Sequence, residues 1–389
     1  MRIVEVRPVV VGSSWRNLTF VIVRTDEGIE GIGEVRFINN TNALLGYLAD
    51  AVPNHVLGHD PFAIEALIQR VWRHDYGRPG QVEMSGLAAI EIACWDIMGK
   101  ALGQPVYRLL GGPVRDRVKA YANGWYTVER TPAAFHAAAR RVIERGYRAL
   151  KLDPFGSGSY ELSPPERRRA LELIEAVRAA IGTEVELLIE MHGRFSPSQA
   201  IALARDLEQF DPAWIEEPVP PENPRVMKRV ADRVNIPVAA GERIHLRPEF
   251  RELIELQACD VVQVDLTMSG GIAEGRKIAS WAENYSLLMA PHNVGGPVST
   301  AAALHFAAAT PNFKLLEHFN DFAEPHVKEV APGLPEVTDG YFTLPDRPGL
   351  GIAFDEDLAG EYPQRAINFD LFEDNWHLRQ AARDVQRNP

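Results

Sequence analysis

From about Tyr121 to Glu317 the chain repeats one unit: a short apolar run, a polar or ionisable residue that closes or follows it, then an amphipathic helical stretch. The runs are Ala149 to Leu152, Val185 to Ile189, Trp214-Ile215, Val238 to Ala240, Val261 to Val264, Leu287 to Ala290 and Leu315-Leu316. The residues that punctuate them are Lys151, Glu190, Glu216, Glu242, Asp265, His292 and Glu317, and from Glu190 onward they recur at steps of about 25 positions. That is the length of one strand, one helix and two loops. An unbroken strand-helix order requires parallel strands with right-handed crossovers, and eight such units close into a (β/α)8 barrel of roughly 250 residues. Val118 to Tyr121, ended by Asn123-Gly124-Trp125, supplies the eighth unit at the start of the series. An open doubly wound sheet is the competing architecture, but it gathers ligand groups at one switch point on a few strands. Here an ionisable group ends strand after strand, which a barrel with its site at the C-terminal mouth explains better. The longer step from Lys151 to Glu190 holds Gly156 to Tyr160 and Pro164-Pro165, read as a loop insertion.

The stretch before the barrel has a different texture. Ile3-Val4, Val9 to Val11, Leu18 to Val23 and Ile29 to Glu34 read as strands, with a turn at Thr25-Asp26-Glu27-Gly28. Leu87, Ile90, Cys94, Ile97, Met98 and Ala101 then recur at helical spacing from a predicted N-cap at Ser85 until Gly103 and Pro105 end the run. The first part of the chain is therefore an α+β unit. With 46% hydrophobic and 24% charged residues the chain folds rather than staying disordered, and a net charge of −12 argues against nucleic acid or an anionic membrane as partner. Cys94 and Cys259 show no C-x-x-C or zinc spacing and read as reduced, buried thiols. Glu5 and Arg7 interrupt the apolar start, and no run reaches the ~18 apolar residues of a spanning helix, so a cytoplasmic protein is expected.

Three consecutive strands ending in Glu190, Glu216 and Glu242 aim three carboxylates into one mouth. Each alone also reads as a solvated strand end, but three together demand a cation, and hard oxygen donors without clustered His or Cys select Mg2+ or Mn2+. His292 follows the seventh strand, one strand after Asp265, a pairing that fixes an imidazole tautomer and raises its basicity for abstracting a proton from a carbon acid. The plainer alternative for His292 is a capped loop histidine. His192, two residues beyond Glu190, points the same way as Glu190 if the segment is extended and then serves as a second acid; otherwise it is a loop histidine bonded near Arg194. Ser269-Gly270-Gly271 before a helix offers an anion cradle or mere turn geometry. The chain has no G-x-S-x-G, G-x-G-x-x-G, Walker or H-E-x-x-H motif.

These residues together resemble the enolase superfamily, in its mandelate racemase-like branch. The likeness runs through Glu91 to Lys100, Gly103-Gln104-Pro105-Val106, Leu109 to Gly112, Lys151, Glu190, Trp214 to Pro218, Gly241-Glu242, Val264-Asp265, Gly270-Gly271, His292, Leu316-Glu317, Asp339-Gly340-Tyr341 and Pro348 to Gly351. The resemblance implies an N-terminal α+β capping domain (1–118) over a modified (β/α)8 barrel (119–338), completed by a C-terminal segment (339–389) packing on the cap. It implies one Mg2+ per subunit, with Mn2+ as substitute, held by Glu190, Glu216 and Glu242, and a dyad of Asp265 with His292 that removes a proton alpha to a carboxylate. Glu317 then hydrogen-bonds the substrate carboxylate, and Lys151 joins the metal in supplying positive charge to the enediolate. Trp15 and Phe37 to Asn40 become candidate specificity elements, and a homo-oligomer is expected.

Two departures refine the reading. Racemases of this branch carry Lys-x-Lys on the second strand, whereas this chain reads Lys151-Leu152-Asp153-Pro154, so the opposite-face base is missing. Glu190-Met191-His192-Gly193-Arg194 instead resembles the segment of sugar-acid dehydratases in which a histidine protonates the departing 3-hydroxyl. The second departure is Glu190 itself, where Asp is usual. The expected activity is dehydration of an aldonate or aldarate to a 2-keto-3-deoxy acid, with Asp153 and Arg194 as candidate substrate contacts. The alternatives are a cycloisomerase or epimerase using the same dyad and metal, and a non-catalytic metal-binding barrel.

Overall fold

The computed structural model describes residues 1–74 and 76–379. Its N-terminal unit is an antiparallel meander of β1 (Ile3–Gly12), β2 (Asn17–Thr25) and β3 (Glu30–Val35). The two runs expected at the start form one strand, because Glu5 and Arg7 lie on its outer face, where Glu5 pairs with Arg24 and Arg7 with Glu356. Helices α1 (Thr41–Ala51), α2 (Ile64–His74) and α3 (Gln81–Leu102) follow. Ser85 is not the cap of α3 but lies within it; Gly80 is the cap, with its N–H donated to Glu83 Oε2 (2.8 Å). A glycine cap carries no side-chain signal in the sequence, so the helix starts ahead of the serine the periodicity points to. The opposite end stops at Gly103 in the left-handed conformation (φ +63°), as read. α3 lies directly on β3, so closely that a Cβ at Gly33 would stand 1.8 Å from Ala89 O.

After α4 (Val106–Leu109), eight parallel strands alternate with helices: β4 (Arg117–Ala122), α5 (Pro132–Glu144), β5 (Ala149–Leu152), α6 (Pro164–Ile181), β6 (Glu186–Glu190) and α7 (Pro197–Leu207). The series continues with β7 (Trp214–Glu216), α8 (Pro224–Ala231), β8 (Val238–Ala240), α9 (Arg247–Glu255), β9 (Val261–Val262), α10 (Ile272–Glu283), β10 (Leu288–Met289), α11 (Pro297–Ala309) and β11 (Leu316–His318). The sheet order is β11-β4-β5-β6-β7-β8-β9-β10. Closure between β10 and β11 runs through an irregular stretch in which Met289 N–H donates to Asn312 O (2.8 Å) and Lys314 N–H to Met289 O (2.8 Å). Tyr121, Leu188, Trp214, Val261 and small alanines fill the interior, a packed core rather than a pore. Many of the outer helices start with proline at the first turn behind a Thr, Ser or Asn cap, such as Thr131, Ser163, Ser196 and Asn223, so the strand-to-helix turns are set locally.

Following α12 (Pro325–Glu329), β12 (Tyr341–Thr343) pairs antiparallel with the start of β4. The chain then runs to the N-terminal unit: Val106 N–H donates to Gly349 O, and beyond α13 (Glu356–Glu361) Gly12 N–H donates to Tyr362 O, Asn17 exchanges hydrogen bonds with Arg365, and Asn39 does so with Phe369.

Two buried carboxylates clasp the N-terminal unit to the barrel. Glu91 of α3 accepts from Ile272 N–H (2.9 Å) and Ala273 N–H (2.8 Å) at the start of α10, and from Trp95 Nε1 (2.7 Å). The glycine-rich turn before α10 is therefore an anion cradle filled by the protein's own Glu91, and a Cβ at Gly271 would sit 1.9 Å from its carboxylate. Glu34 of β3 does the same for α11 through Gly296 and Ser299 N–H groups. Among the described residues no helix is long and apolar enough to cross a membrane.

Candidate active site

The strands end at one mouth, and their last residues meet there. Glu190 and Glu216 close β6 and β7 side by side in the ladder, and Glu242 follows β8 after Gly241. One ligand atom from each of these three buried carboxylates lies within 4.8 Å of the others. Lys151, on β5, is 1% exposed and reaches Glu216 Oε1 (2.7 Å), Glu317 Oε1 (3.0 Å) and Glu190 Oε2 (3.1 Å). Burial opposes its charge, but Glu216 and Glu317 outweigh that and raise its pKa well above the ordinary value. Burial pushes Glu190 up to about 7 and, with the Glu190 charge beside it, Glu216 well above the usual carboxylate range. Glu242 goes well below that range, because His292 and Arg243 overcome its burial. Glu190 Oε2 is buried and meets only the Lys151 ammonium, without a directed hydrogen bond. Crowded, dry carboxylates with no sulfur donors fit a hard divalent cation.

Two histidines flank this cluster in the same arrangement. His292 Nδ1 is 2.8 Å from Asp265 Oδ2, and Arg36 Nε donates to that same oxygen (3.1 Å). His192 Nδ1 is 2.5 Å from Asp153 Oδ2, and Arg194 donates to both oxygens of Asp153 (2.6 and 2.8 Å). A carboxylate partner fixes Nδ1 as the protonated nitrogen, so Nε2 is the working atom of each ring. His292 Nε2 stands 3.0 Å from Glu242 Oε2 and 3.7 Å from Glu317 Oε2. Burial raises the pKa of both aspartates, yet Arg194 with His192 holds Asp153, and His292 with Arg36 holds Asp265, below the usual range. For His192, burial pulls the pKa down against the charge of Asp153.

A cavity of about 420 Å³ lies above the cluster, with Lys151, Glu190, His192, Glu242 and His292 on its wall. Trp15 lines it too, as does the Phe37 to Asn40 stretch. Glu216, Asp265 and Glu317 lie just beneath. Glu317 binds Asn123 Nδ2 (2.7 Å) and Asn293 N–H (2.8 Å) besides Lys151, so the eighth-strand carboxylate is held from three sides. Two expectations change. His192 is not in an extended segment: β6 stops at Glu190, whose Oε1 accepts the His192 N–H (2.7 Å), and His192 turns with φ +49°. Asp153 and Arg194 stand behind His192 rather than on the cavity wall, Arg194 being tied also to Gly156 O, so they orient the ring instead of facing a ligand. Arg36, Asn123, Tyr126, Arg243, Trp376 and Arg379 were not singled out as site residues from the sequence. Arg36 adjoins the Phe37 to Asn40 stretch and was within reach of that reading; Trp376 and Arg379 lie in an aperiodic C-terminal stretch that carries no signal.

The chain matches the family model "Mandelate racemase / muconate lactonizing enzyme, N-terminal domain" over residues 3–111 and the model "Enolase C-terminal domain-like" over residues 134–358. It belongs to the mandelate racemase/muconate lactonizing enzyme family of the enolase superfamily. Within that family it is 40% identical over 298 residues to a D-gluconate/D-galactonate dehydratase of Picrophilus torridus, covering 76% of each chain. It is 35% identical to a D-galactonate dehydratase family member of Streptomyces bingchenggensis, covering 91% of this chain and 92% of that one. The solved structure of a mandelate racemase/muconate lactonizing enzyme from Jannaschia sp. CCS1 superposes with a TM-score of 0.89 at 32% identity, over 95% of this chain and 99% of that one. The buried triad of Glu190, Glu216 and Glu242 accords with the divalent-metal site of such a family.

Proposed function

We propose that this protein is a Mg2+-dependent dehydratase of a sugar acid, an aldonate or aldarate, which removes water across C2 and C3 to give a 2-keto-3-deoxy acid. The observation that carries the reading is the pair of histidine dyads, His292 with Asp265 and His192 with Asp153, one on either side of a three-carboxylate cluster. Dehydration needs a base for the C2 proton and an acid for the departing 3-hydroxyl, and a site with both serves that reaction. The dehydratase activity of the relatives in Picrophilus torridus and other organisms supports the same class.

Glu190, Glu216 and Glu242 would hold the metal, which would supply positive charge against the negative charge that grows on the substrate carboxylate. Lys151 adds a second positive charge to that side of the site, at hydrogen-bonding distance from Glu317, which, when it carries a proton, donates it to a substrate carboxylate oxygen. His292 accepts the C2 proton at Nε2, while Asp265 stabilises the resulting imidazolium through Nδ1 and is itself steadied by Arg36. His192 gives a proton from Nε2 to the 3-hydroxyl as the C3–O bond breaks, so water departs, and Asp153 with Arg194 keeps the ring in place. The enol left behind takes a proton at C3 and becomes the 2-keto acid.

The test is incubation of the Mg2+-loaded protein with a panel of aldonates and aldarates in D2O, following 2-keto acid formation and deuterium at C2. Keto acid from one stereochemical set is expected. Deuterium uptake without keto acid would transfer the protein to the isomerases, and no reaction with any acid would overturn the reading.

A further inference from the structure

We infer that Arg379 binds the end of the substrate remote from the metal cluster and selects a sugar acid carrying a second carboxylate at that end. This rests on the dehydratase reading above and extends it to substrate class. Arg379 is 7% exposed and lines the cavity. Its guanidinium lies among three aromatic rings, 4.4 Å from the Phe319 centroid, 5.3 Å from Tyr126 and 5.4 Å from Trp15. Its terminal nitrogen NH1 is buried and has no hydrogen-bond partner. The other cations on the cavity wall are answered by protein carboxylates: Lys151 by Glu190, Glu216 and Glu317, Arg36 by Asp265, and Arg243 by Glu217. Arg379 has no ion-pair partner among the described residues.

A buried guanidinium without an anion is costly, and an orphaned donor on a cavity wall is where a ligand oxygen belongs. The ring cage and a side-chain hydrogen bond with Tyr126 offset part of that cost but leave the charge without an anion and NH1 without a partner. NH1 lies over Gly124, just past β4, where a Cβ would fall 2.8 Å from it; any larger residue would close the space the arginine needs. Gly124 adjoins Asn123, which holds Glu317, which in turn contacts Lys151, so Arg379 shares one wall with the reacting end of the site without touching the metal cluster. The arginine is also prepositioned. Its N–H donates to Trp376 O (3.0 Å), its carbonyl accepts from Ser14 Oγ (3.1 Å), and the turn carrying it is pinned by His377, which accepts from Arg130 Nε (3.2 Å) and bonds Val128 O (3.0 Å). A terminal hydroxyl would leave the charge unanswered, whereas a carboxylate satisfies both charge and fork geometry.

The test compares matched acids that differ only at C6, glucarate against gluconate and galactarate against galactonate, with the Mg2+-loaded wild type, Arg379→Gln and Arg379→Lys. Calorimetric binding of the same acids to each protein runs in parallel. The wild type should favour the diacid of the accepted stereochemistry by about 100-fold in kcat/KM, and Arg379→Gln should lose about that factor on the diacid, mostly through KM, while changing little on the monoacid. Arg379→Lys, which restores the charge, should recover part of the loss. Equal losses on both acids, or a wild type that prefers the monoacid, overturn the assignment while leaving the dehydratase standing. If no acid is turned over, the dehydratase reading falls, and calorimetry still decides Arg379: tighter diacid binding that Arg379→Gln abolishes supports it, and equal binding overturns it.

Discussion

Asp265 and Asp153 each accept a histidine Nδ1 and an arginine, so the two rings are held by the same device though they serve opposite proton transfers in the proposed reaction. The two can be separated by mutation. His292→Asn should abolish both keto-acid formation and C2 deuterium exchange, with kcat falling by about 10³-fold or more, whereas His192→Asn should stop water loss by a similar factor and leave C2 exchange measurable by NMR. The carboxylate triad predicts metal dependence. EDTA should eliminate turnover, and Mg2+ or Mn2+ should restore it. Glu216→Gln should lower the metal retained per chain after dialysis, read by atomic emission. Because Lys151 sits among Glu190, Glu216 and Glu317, chelation should leave the circular dichroism spectrum intact.

Elements of the N-terminal unit reach the chemistry through the ends of barrel helices. Glu91 of α3 and Glu34 of β3 occupy the N-termini of α10 and α11, the helices that follow the Asp265 and His292 strand ends. Burial pushes both carboxyls up to about 7, against the pull of the backbone N–H groups. Glu91→Ala would leave the Ile272 and Ala273 N–H groups and the Trp95 indole without their acceptor and open a void. It should destabilise the protein by about 2–4 kcal/mol, seen as a lower urea midpoint. Arg36, just beyond β3, adds a direct link from the same unit to Asp265.

Across the whole molecule, α11 and α4 meet through His305, whose Nδ1 accepts Tyr107 N–H (3.1 Å) and whose ring stacks on Tyr107. Burial lowers the His305 pKa to about 4, below its ordinary value of 6.5. The folded state thus keeps it neutral while the unfolded chain takes up a proton. Its contribution is complete above pH 6.5 and is lost as pH falls from there to about 4, up to about 3 kcal/mol. Glu34 and Glu91 act in the opposite sense but are shared by wild type and variant, so they cancel in a comparison. His305→Gln should therefore show a shallower loss of urea stability than wild type between pH 6.5 and 4.

The strand-helix period and the polar residue after each apolar run determined the barrel, the mouth and the meeting there of Lys151, Glu190, Glu216, Glu242, Asp265, His292 and Glu317, because side chains at the ends of parallel strands converge whatever the loops do. The cap of α3 at Gly80 was illegible because glycine announces no capping side chain. The roles of Asp153 and Arg194 were also hidden, since whether a polar residue faces a cavity or the back of a histidine depends on one turn, set here by the bond from His192 N–H to Glu190. Tertiary structure alone decided that Glu91 fills the glycine cradle, that Arg36 steadies Asp265, and that Trp376 and Arg379 come to the cavity from the end of the described chain. Those contacts join residues hundreds of positions apart with no periodicity between them, so only the closed surface of the folded chain brings them together.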